Sequence, residues 1–555
     1  MTSTQPSKGS SSNPSPIPEA PILDALIIGA GFSGLYQLHK LRDDLGLSVQ
    51  VLEVAPSVGG TWYWNRYPGA RCDSLSHSYR LMFSEELARG WESTERYPGP
   101  EENCRYLSYI ADRLDLLKNI RFNIRVTAAL YNEASATWTI STDTGERYEA
   151  RYLITGVGCL SSTNVPNIPG LDSFTGVWHH TGEWPHEGVD FRGKRVGQIG
   201  TGSSGIQAAP IIAETAEHLT IFQRTANYSV PAHNGPLTPE FQEELQRNFH
   251  NIKATMLGSP NGMPFPLSER LAVETEADER TRIFEQAWAT GGLQFRSSFF
   301  DLMTDENANA FASDFIKAKI REIVRDPKTA AVLADINHPY GTKRPPVDSF
   351  YFETFNLDHV DLVDLRSTPI EAITPDGIRT SDADYPLDII VFATGFDAMT
   401  GTLLKIDIRG RGGQTLADAW SAGPLNYLGL QVAGFPNLFT VTGPGSPSVL
   451  SNMPVSIEQH VDWITDCIAH MEANGFASIE TTQEAMAEWV AHVNDVANST
   501  LMPKANHSWY HGTNVPGKPV VFMPYAGGIP RYRKICDEVA LDGYRGFELR
   551  QALSI

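Results

Sequence analysis

Two glycine turns constrain this chain more than anything else in its sequence. The first, Gly29-Ala30-Gly31-Phe32-Ser33-Gly34, follows the apolar run Leu23, Ala25, Leu26, Ile27 and Ile28 and leads into helix-forming sequence to about Leu45. The second, Gly200-Thr201-Gly202-Ser203-Ser204-Gly205, follows Arg195 to Ile199 and opens a helix to about Glu217. Strand-like runs close both units, Ser48 to Glu53 in one and Leu219 to Gln223 in the other. A bare G-x-G-x-x-G is weak, but one that leaves a strand and opens a helix is a dinucleotide-binding turn. Its first glycine allows the tight bend, its second lets backbone approach a pyrophosphate, and its third packs helix on strand so that free helix N–H groups face the phosphates.

The residue ending the second strand separates the two ligands. Glu53 stands 19 residues past Gly34, and Arg224, followed by Thr225, stands 19 past Gly205. A carboxylate accepts hydrogen bonds from a free ribose diol, whereas an arginine pairs with a 2'-phosphate, so the first unit suits FAD and the second NADPH. Taken alone, either residue could be a solvated charge at a strand end. A chain holding both cofactors passes hydride from nicotinamide to flavin. The reduced flavin then needs an acceptor. The five cysteines, Cys72, Cys104, Cys159, Cys467 and Cys536, form no C-x-x-C pair, which argues against a disulfide acceptor and against haem or iron–sulfur ligation. Molecular oxygen is left as co-substrate.

The expected fold class is α/β, two Rossmann-like dinucleotide-binding domains with a helical insertion in the NADPH domain. The reading divides the chain into a disordered Ser/Pro-rich tail (1–22), FAD domain (23–158), NADPH domain (159–230), helical insertion (231–338), NADPH domain again (339–390) and FAD domain again (391–555). Within the insertion, Phe241 to Ile252, Glu269 to Gly291 and Asn307 to Arg325 read as helices. A formal charge of -21 disfavours nucleic acid and anionic lipid. Neither a spanning apolar run nor a signal pattern is present, and the scattered cysteines suit a reducing compartment, so a cytoplasmic protein, a monomer or weak homodimer, is expected. No residue cluster has metal-ligand spacing and no Gly-x-Ser-x-Gly elbow occurs.

Two further segments carry a family resemblance. The run Gly59-Gly60-Thr61-Trp62-Tyr63-Trp64-Asn65-Arg66-Tyr67-Pro68-Gly69-Ala70-Arg71-Cys72-Asp73 resembles the flavin-side fingerprint of type I Baeyer-Villiger monooxygenases. Phe174-Thr175-Gly176-Val177-Trp178-His179-His180-Thr181-Gly182-Glu183-Trp184-Pro185 matches their linker pattern F-x-G-x-x-x-H-x-x-x-W-P at every fixed position. The resemblance runs from about Leu23 to the last helix and is weakest in the helical insertion. It implies a catalytic arginine at Arg344 in Gly341-Thr342-Lys343-Arg344, held by Asp73. It implies Lys343 beside Arg224 and Thr225 at the 2'-phosphate, with Trp509, Arg71 and Gln207 among the NADPH contacts. On the flavin side it implies Ser33, Glu53, Thr61, Trp62, Asp73, Tyr79, Met453 and backbone near Val126. It lines the substrate pocket with Val449, Leu450, Met453 and Pro454. Pro454 departs from the leucine expected in a relative acting on an aryl ketone, so substrate scope does not transfer.

The implied chemistry is insertion of oxygen beside a ketone carbonyl through a C4a-peroxyflavin whose anion Arg344 stabilises, with sulfoxidation as a side activity. The runner-up is an N- or S-oxygenating flavin monooxygenase, and a third reading is a nucleotide-binding protein that has lost its chemistry. Bland readings stand beside the residues themselves. Arg344 alone would be a surface ion pair, Asp73 a turn or N-cap residue, and the pocket residues ordinary core. His180 and Trp184, four apart, read as a packed pair on one helix face, with a hinge between the nucleotide domains as the functional alternative.

Overall fold

The computed structural model describes residues 22–505 and 507–551, so the expected tail lies outside the described residues except for Ile22. Strand Leu23–Ile28 pairs in parallel with Val49–Leu52 on one side and Arg147–Thr155 on the other. Helices and loops cover both faces of this strand, which is why its sequence is continuously apolar rather than alternating, and Ala25, Leu26 and Ile27 are fully buried. The eight-stranded sheet runs Asp407–Arg409, Val126–Asn132, Thr137–Thr142, Arg147–Thr155, Leu23–Ile28, Val49–Leu52, Ile120–Arg121, with Leu438–Thr440 also paired to Arg147–Thr155. The C-terminal part of the chain therefore returns to the first sheet. Its long helix Met453–Asn474 lies along helix Phe32–His39, where Tyr36 donates to Asp462 (2.7 Å) and Gln37 to Thr465 (3.2 Å).

The second sheet is wholly parallel, in the order Val360–Asp364, His218–Gln223, Arg195–Ile199, Ile389–Phe392, Val177–His180. A boundary at residue 390 would cut strand Ile389–Phe392, so we place the crossing back to the first sheet after Phe392. The linker fingerprint supplies this sheet's edge strand. His180 ends that strand and Trp184 follows a tight 3-10 turn, so the two do not share a helix face as their spacing suggested. Trp184 packs near His179 and Phe191 instead, and His180 sits edge-on to Phe396. Gly176 has a steric reason to be glycine, because a Cβ there would stand 2.4 Å from the Asp388 carbonyl oxygen and 2.6 Å from the Phe174 ring.

The segment between the two parts of this sheet is helical, with adjusted bounds. Asn248 divides the first expected helix into Pro239–Arg247 and Phe249–Gly258. The second begins only at Ala277, because the Asp301 carboxylate holds the Ala272 and Val273 N–H groups (2.8 and 3.2 Å) in a turn before it. The third, Glu306–Ile323, is capped by Asp305, whose side chain accepts from the N–H groups of Asn307 and Ala308. The first glycine-turn helix ends at His39 and tightness is lost in a π turn, Lys40–Asp44, before the expected end at Leu45. The second spans Ser203–Ala213. No described helix is long and apolar enough to cross a membrane.

Candidate active site

Both glycine turns solve the same steric problem in the same way. Gly29 and Gly200 hold φ of +100° and +110°, and a Cβ would meet a facing carbonyl oxygen at 2.6 and 2.4 Å. At Gly34 and Gly205 a Cβ would lie 1.8 and 2.2 Å from the carbonyl oxygen of the first glycine, so only glycine lets each helix sit down on its strand. Gly31 and Gly202 are the N-caps, and neither offers a side chain to the first-turn N–H groups. Those donors are available to an anion, and the space around Gly202 is open.

Glu53 is 4% exposed beneath the first turn and accepts from the backbone N–H of Ala30 (2.6 Å) and Ala55 (2.8 Å). Burial raises its pKa above the usual carboxylate value, although these N–H groups oppose the shift. The Gly59-Gly60 turn closes on the glycine loop through Gly59 N–H to the Ala30 carbonyl (3.3 Å), which brings Thr61 and Trp62 alongside. Trp62 donates to the Tyr79 hydroxyl (3.2 Å), and Phe32 meets Tyr79 edge to face. Ser33 is buried in the first helix turn, and Ile124 N–H reaches the Glu53 carbonyl (2.9 Å), which carries the chain to Val126 beside it. An uncapped helix end above a buried carboxylate fits the pyrophosphate and ribose diol of FAD.

In the second unit Thr201 donates to the Thr225 carbonyl (2.9 Å), Ser203 is exposed in the first helix turn, and Thr181 of the linker donates to the Ser204 hydroxyl (3.2 Å). Arg224 is exposed and Lys343 half-buried beside it, and neither has a carboxylate partner among the described residues. Burial, and then the neighbouring Arg224 charge, push the Lys343 pKa down to about 8. Two adjacent cations without a counter-ion fit a 2'-phosphate. Because such a phosphate favours charged Lys343, affinity for NADPH is expected to be full below about pH 8 and to weaken as the pH rises through it. The expected result is a KM for NADPH that climbs about tenfold above this pH while that for NADH stays level. Lys343→Ala should flatten the NADPH profile, and a slope that persists in this variant would exclude the lysine as its source.

Arg71 and Gln207 join the two dinucleotide units. Gln207 accepts from the Tyr67 hydroxyl (2.7 Å) and donates to the Arg71 carbonyl (3.2 Å), tying the second helix to the flavin-side fingerprint. The Arg71 guanidinium pairs with Glu95 and donates to the Tyr97 carbonyl (3.0 Å).

The fingerprint ends at Asp73, which stands in irregular backbone with no helix to cap. Its carboxylate takes two parallel bonds from Arg344, Nε to Oδ2 (2.5 Å) and Nη2 to Oδ1 (2.7 Å), while Nη1 donates to the Val449 carbonyl (2.6 Å). Burial opposes the arginine charge, yet the Asp73 carboxylate holds its pKa above the ordinary arginine value, so the guanidinium is cationic at every working pH. Arg344 faces a cavity of about 200 Å³ between the helical insertion, the Pro447–Ser451 loop and the C-terminal loop.

Val449 and Leu450 line this cavity, but Met453 and Pro454 do not. The loop ends at Asn452, and those two residues open the long helix, with Pro454 buried and Met453 against the flavin-domain core. Trp509 is half-buried outside the lining, and its neighbour Tyr510 lines the cavity near Arg344. Tyr510 and Arg296 are the lining residues with chemistry that motif reading missed. Tyr510 had a signal, since it adjoins Trp509, which the resemblance places among the NADPH contacts; Arg296 had none.

A flavoprotein oxidoreductase that draws its hydride from NADPH is the class of protein these paired sites define. The flavin-binding monooxygenase-like family matches residues 24–236. A Baeyer-Villiger monooxygenase of Pseudooceanicola batsensis is 46% identical over 525 residues, 94% of this chain and 95% of that one. A phenazine N-monooxygenase of Lysobacter antibioticus is 43% identical over 529 residues, 95% and 97% of the two chains. Oxidised steroid monooxygenase bound to NADP superposes with a TM-score of 0.91 at 49% identity, over 96% of this chain and 100% of that one. The chain belongs to the Baeyer-Villiger monooxygenases.

Proposed function

We propose that the chain oxidises ketones to esters or lactones, consuming one NADPH and one O2 and releasing water, with Arg344 and Asp73 as the groups that make the site competent. The observation that carries this reading is the bidentate Arg344–Asp73 pair facing the cavity. FAD, when bound, supplies the two-electron activation of oxygen. Glu53 and the uncapped helix end at Gly31 hold its adenosine and pyrophosphate end, while Arg224, Lys343 and the turn at Gly202 hold NADPH. Arg344 spends three of its donors on Asp73 and Val449, which fixes the guanidinium plane, and its remaining N–H groups meet the negative charge that develops on the ketone oxygen. Asp73 balances the guanidinium charge and prevents its rotation. The apolar lining around them, Phe299, Leu302 and Met502 among it, excludes water from the reacting centre.

We place the enzyme in the cytoplasm as a monomer or weak homodimer, and its formal charge of -21 disfavours nucleic acid or an anionic membrane as partner. The purified yellow protein, given NADPH, oxygen and a panel of ketones with a thioether and a heteroaromatic amine, tests the main reading by mass spectrometry of products. Esters or lactones are expected. Sulfoxide or N-oxide with no ester would replace the reading by an N- or S-oxygenase.

A further inference from the structure

We propose that Arg296 binds a carboxylate on the substrate, which makes oxo acids, ketones carrying an anionic group, the substrate class of this enzyme. The proposal rests on the ketone reading above and narrows it. Arg296 lies in the 3-10 segment Gly292–Ser297 of the helical insertion, next to the fully buried Phe295, and lines the same cavity as Arg344. The cavity lining contains these two arginines and no Asp, Glu, Lys or His.

The two guanidinium groups are not equivalent. Arg344 is neutralised by Asp73. Arg296 makes no hydrogen bond, ion pair or cation-π contact among the described residues. The charged group that acts on it is Arg344, which repels it, and Tyr510 and Tyr340 are phenols whose burial keeps them protonated. A half-buried cation without a partner is unfavourable, and it is placed here in a chain with an excess of acidic residues that could have supplied one. The planar fork matches a carboxylate with two parallel bonds. A substrate anchored there would leave its ketone in the part of the cavity that Arg344 faces, so Arg296 selects and orients without touching the reacting atoms.

The holoenzyme is titrated with a series of linear oxo acids from levulinate upward, each beside its methyl ester. Binding is followed through the flavin absorbance and turnover through products. One member of the series is expected to bind about tenfold or more tightly as the acid than as the ester, a charge-assisted pair's worth. Arg296→Met should erase that preference while leaving ester turnover and the KM for NADPH within about twofold, and Arg296→Lys should restore part of it. Wild-type enzyme that binds acid and ester alike throughout the series would overturn the proposal, as would an Arg296→Met variant that slows both equally. Tight, Arg296-dependent acid binding with no ester or lactone formed from any ketone would sustain the site and sink the ketone reading instead.

Discussion

Arg344→Ala is expected to abolish ester formation while NADPH oxidation continues and ends in hydrogen peroxide. Removing a single preorganised donor from an anion-stabilising site costs about 10²- to 10³-fold in rate, and this substitution removes the only guanidinium that Asp73 orients toward the cavity. Hydride transfer from NADPH should persist, because the second glycine turn, Arg224 and Lys343 are untouched. Arg344→Lys should rescue little. An ammonium is a point charge and cannot keep both Asp73 and the Val449 carbonyl while aiming further donors into the cavity. Asp73→Asn preserves shape but removes the charge that holds the guanidinium, and a smaller loss, about tenfold, is expected. An intact flavin spectrum and an unchanged melting temperature would show that the fold survives in each case. Ester formation by Arg344→Ala at more than about a tenth of the wild-type rate would remove this arginine from the chemistry.

The elements legible in the sequence are those whose chemistry is local. Each glycine turn, its strand, its helix and the deciding residue 19 positions on lie within one unit, and Glu53 is found beneath the turn that it was assigned to. Family resemblance alone joined Asp73 to Arg344 across 271 residues, since taken singly Arg344 read as a surface ion pair and Asp73 as a turn or N-cap residue. Where spacing acted alone it misled. A four-residue interval at His180 and Trp184 fits a helix face, but it also fits a strand followed by a tight turn, and the hydrogen bonds of the sheet edge decide for the latter. Polar residues from Glu269 onward look helical until a distant carboxylate, Asp301, captures two backbone N–H groups. Pocket membership was least legible. Met453 and Pro454 are adjacent to the lining loop in sequence but open the helix that follows Asn452 and are not part of the lining, and Arg296 shares the cavity with Arg344 although it lies 48 residues earlier in the chain.

Gly34→Val and Gly205→Val should separate the two cofactor sites with the largest effects available to single substitutions. Valine at Gly34 would set its Cβ 1.8 Å from the Gly29 carbonyl oxygen, a contact no rotamer relieves, so the helix must lift from its strand and its N–H groups leave the pyrophosphate site. The expected product is colourless protein that added FAD does not restore. Valine at Gly205 makes the equivalent clash with the Gly200 carbonyl oxygen at 2.2 Å, but in the other sheet. That variant should purify yellow, take electrons from dithionite, and fail to be reduced by NADPH. Circular dichroism and melting temperature distinguish a lost cofactor from a lost fold. Gly205→Ala is the milder companion for the case where valine prevents folding, because its Cβ meets the same oxygen without branching. NADPH reducing the Gly205 variants at the wild-type rate would show that the second turn does not hold the nucleotide, and a yellow Gly34→Val would say the same of FAD and the first. Because each substitution acts on backbone packing rather than on a side-chain contact, the pair tests the duplicated turn itself, which is the feature from which the whole two-cofactor reading descends.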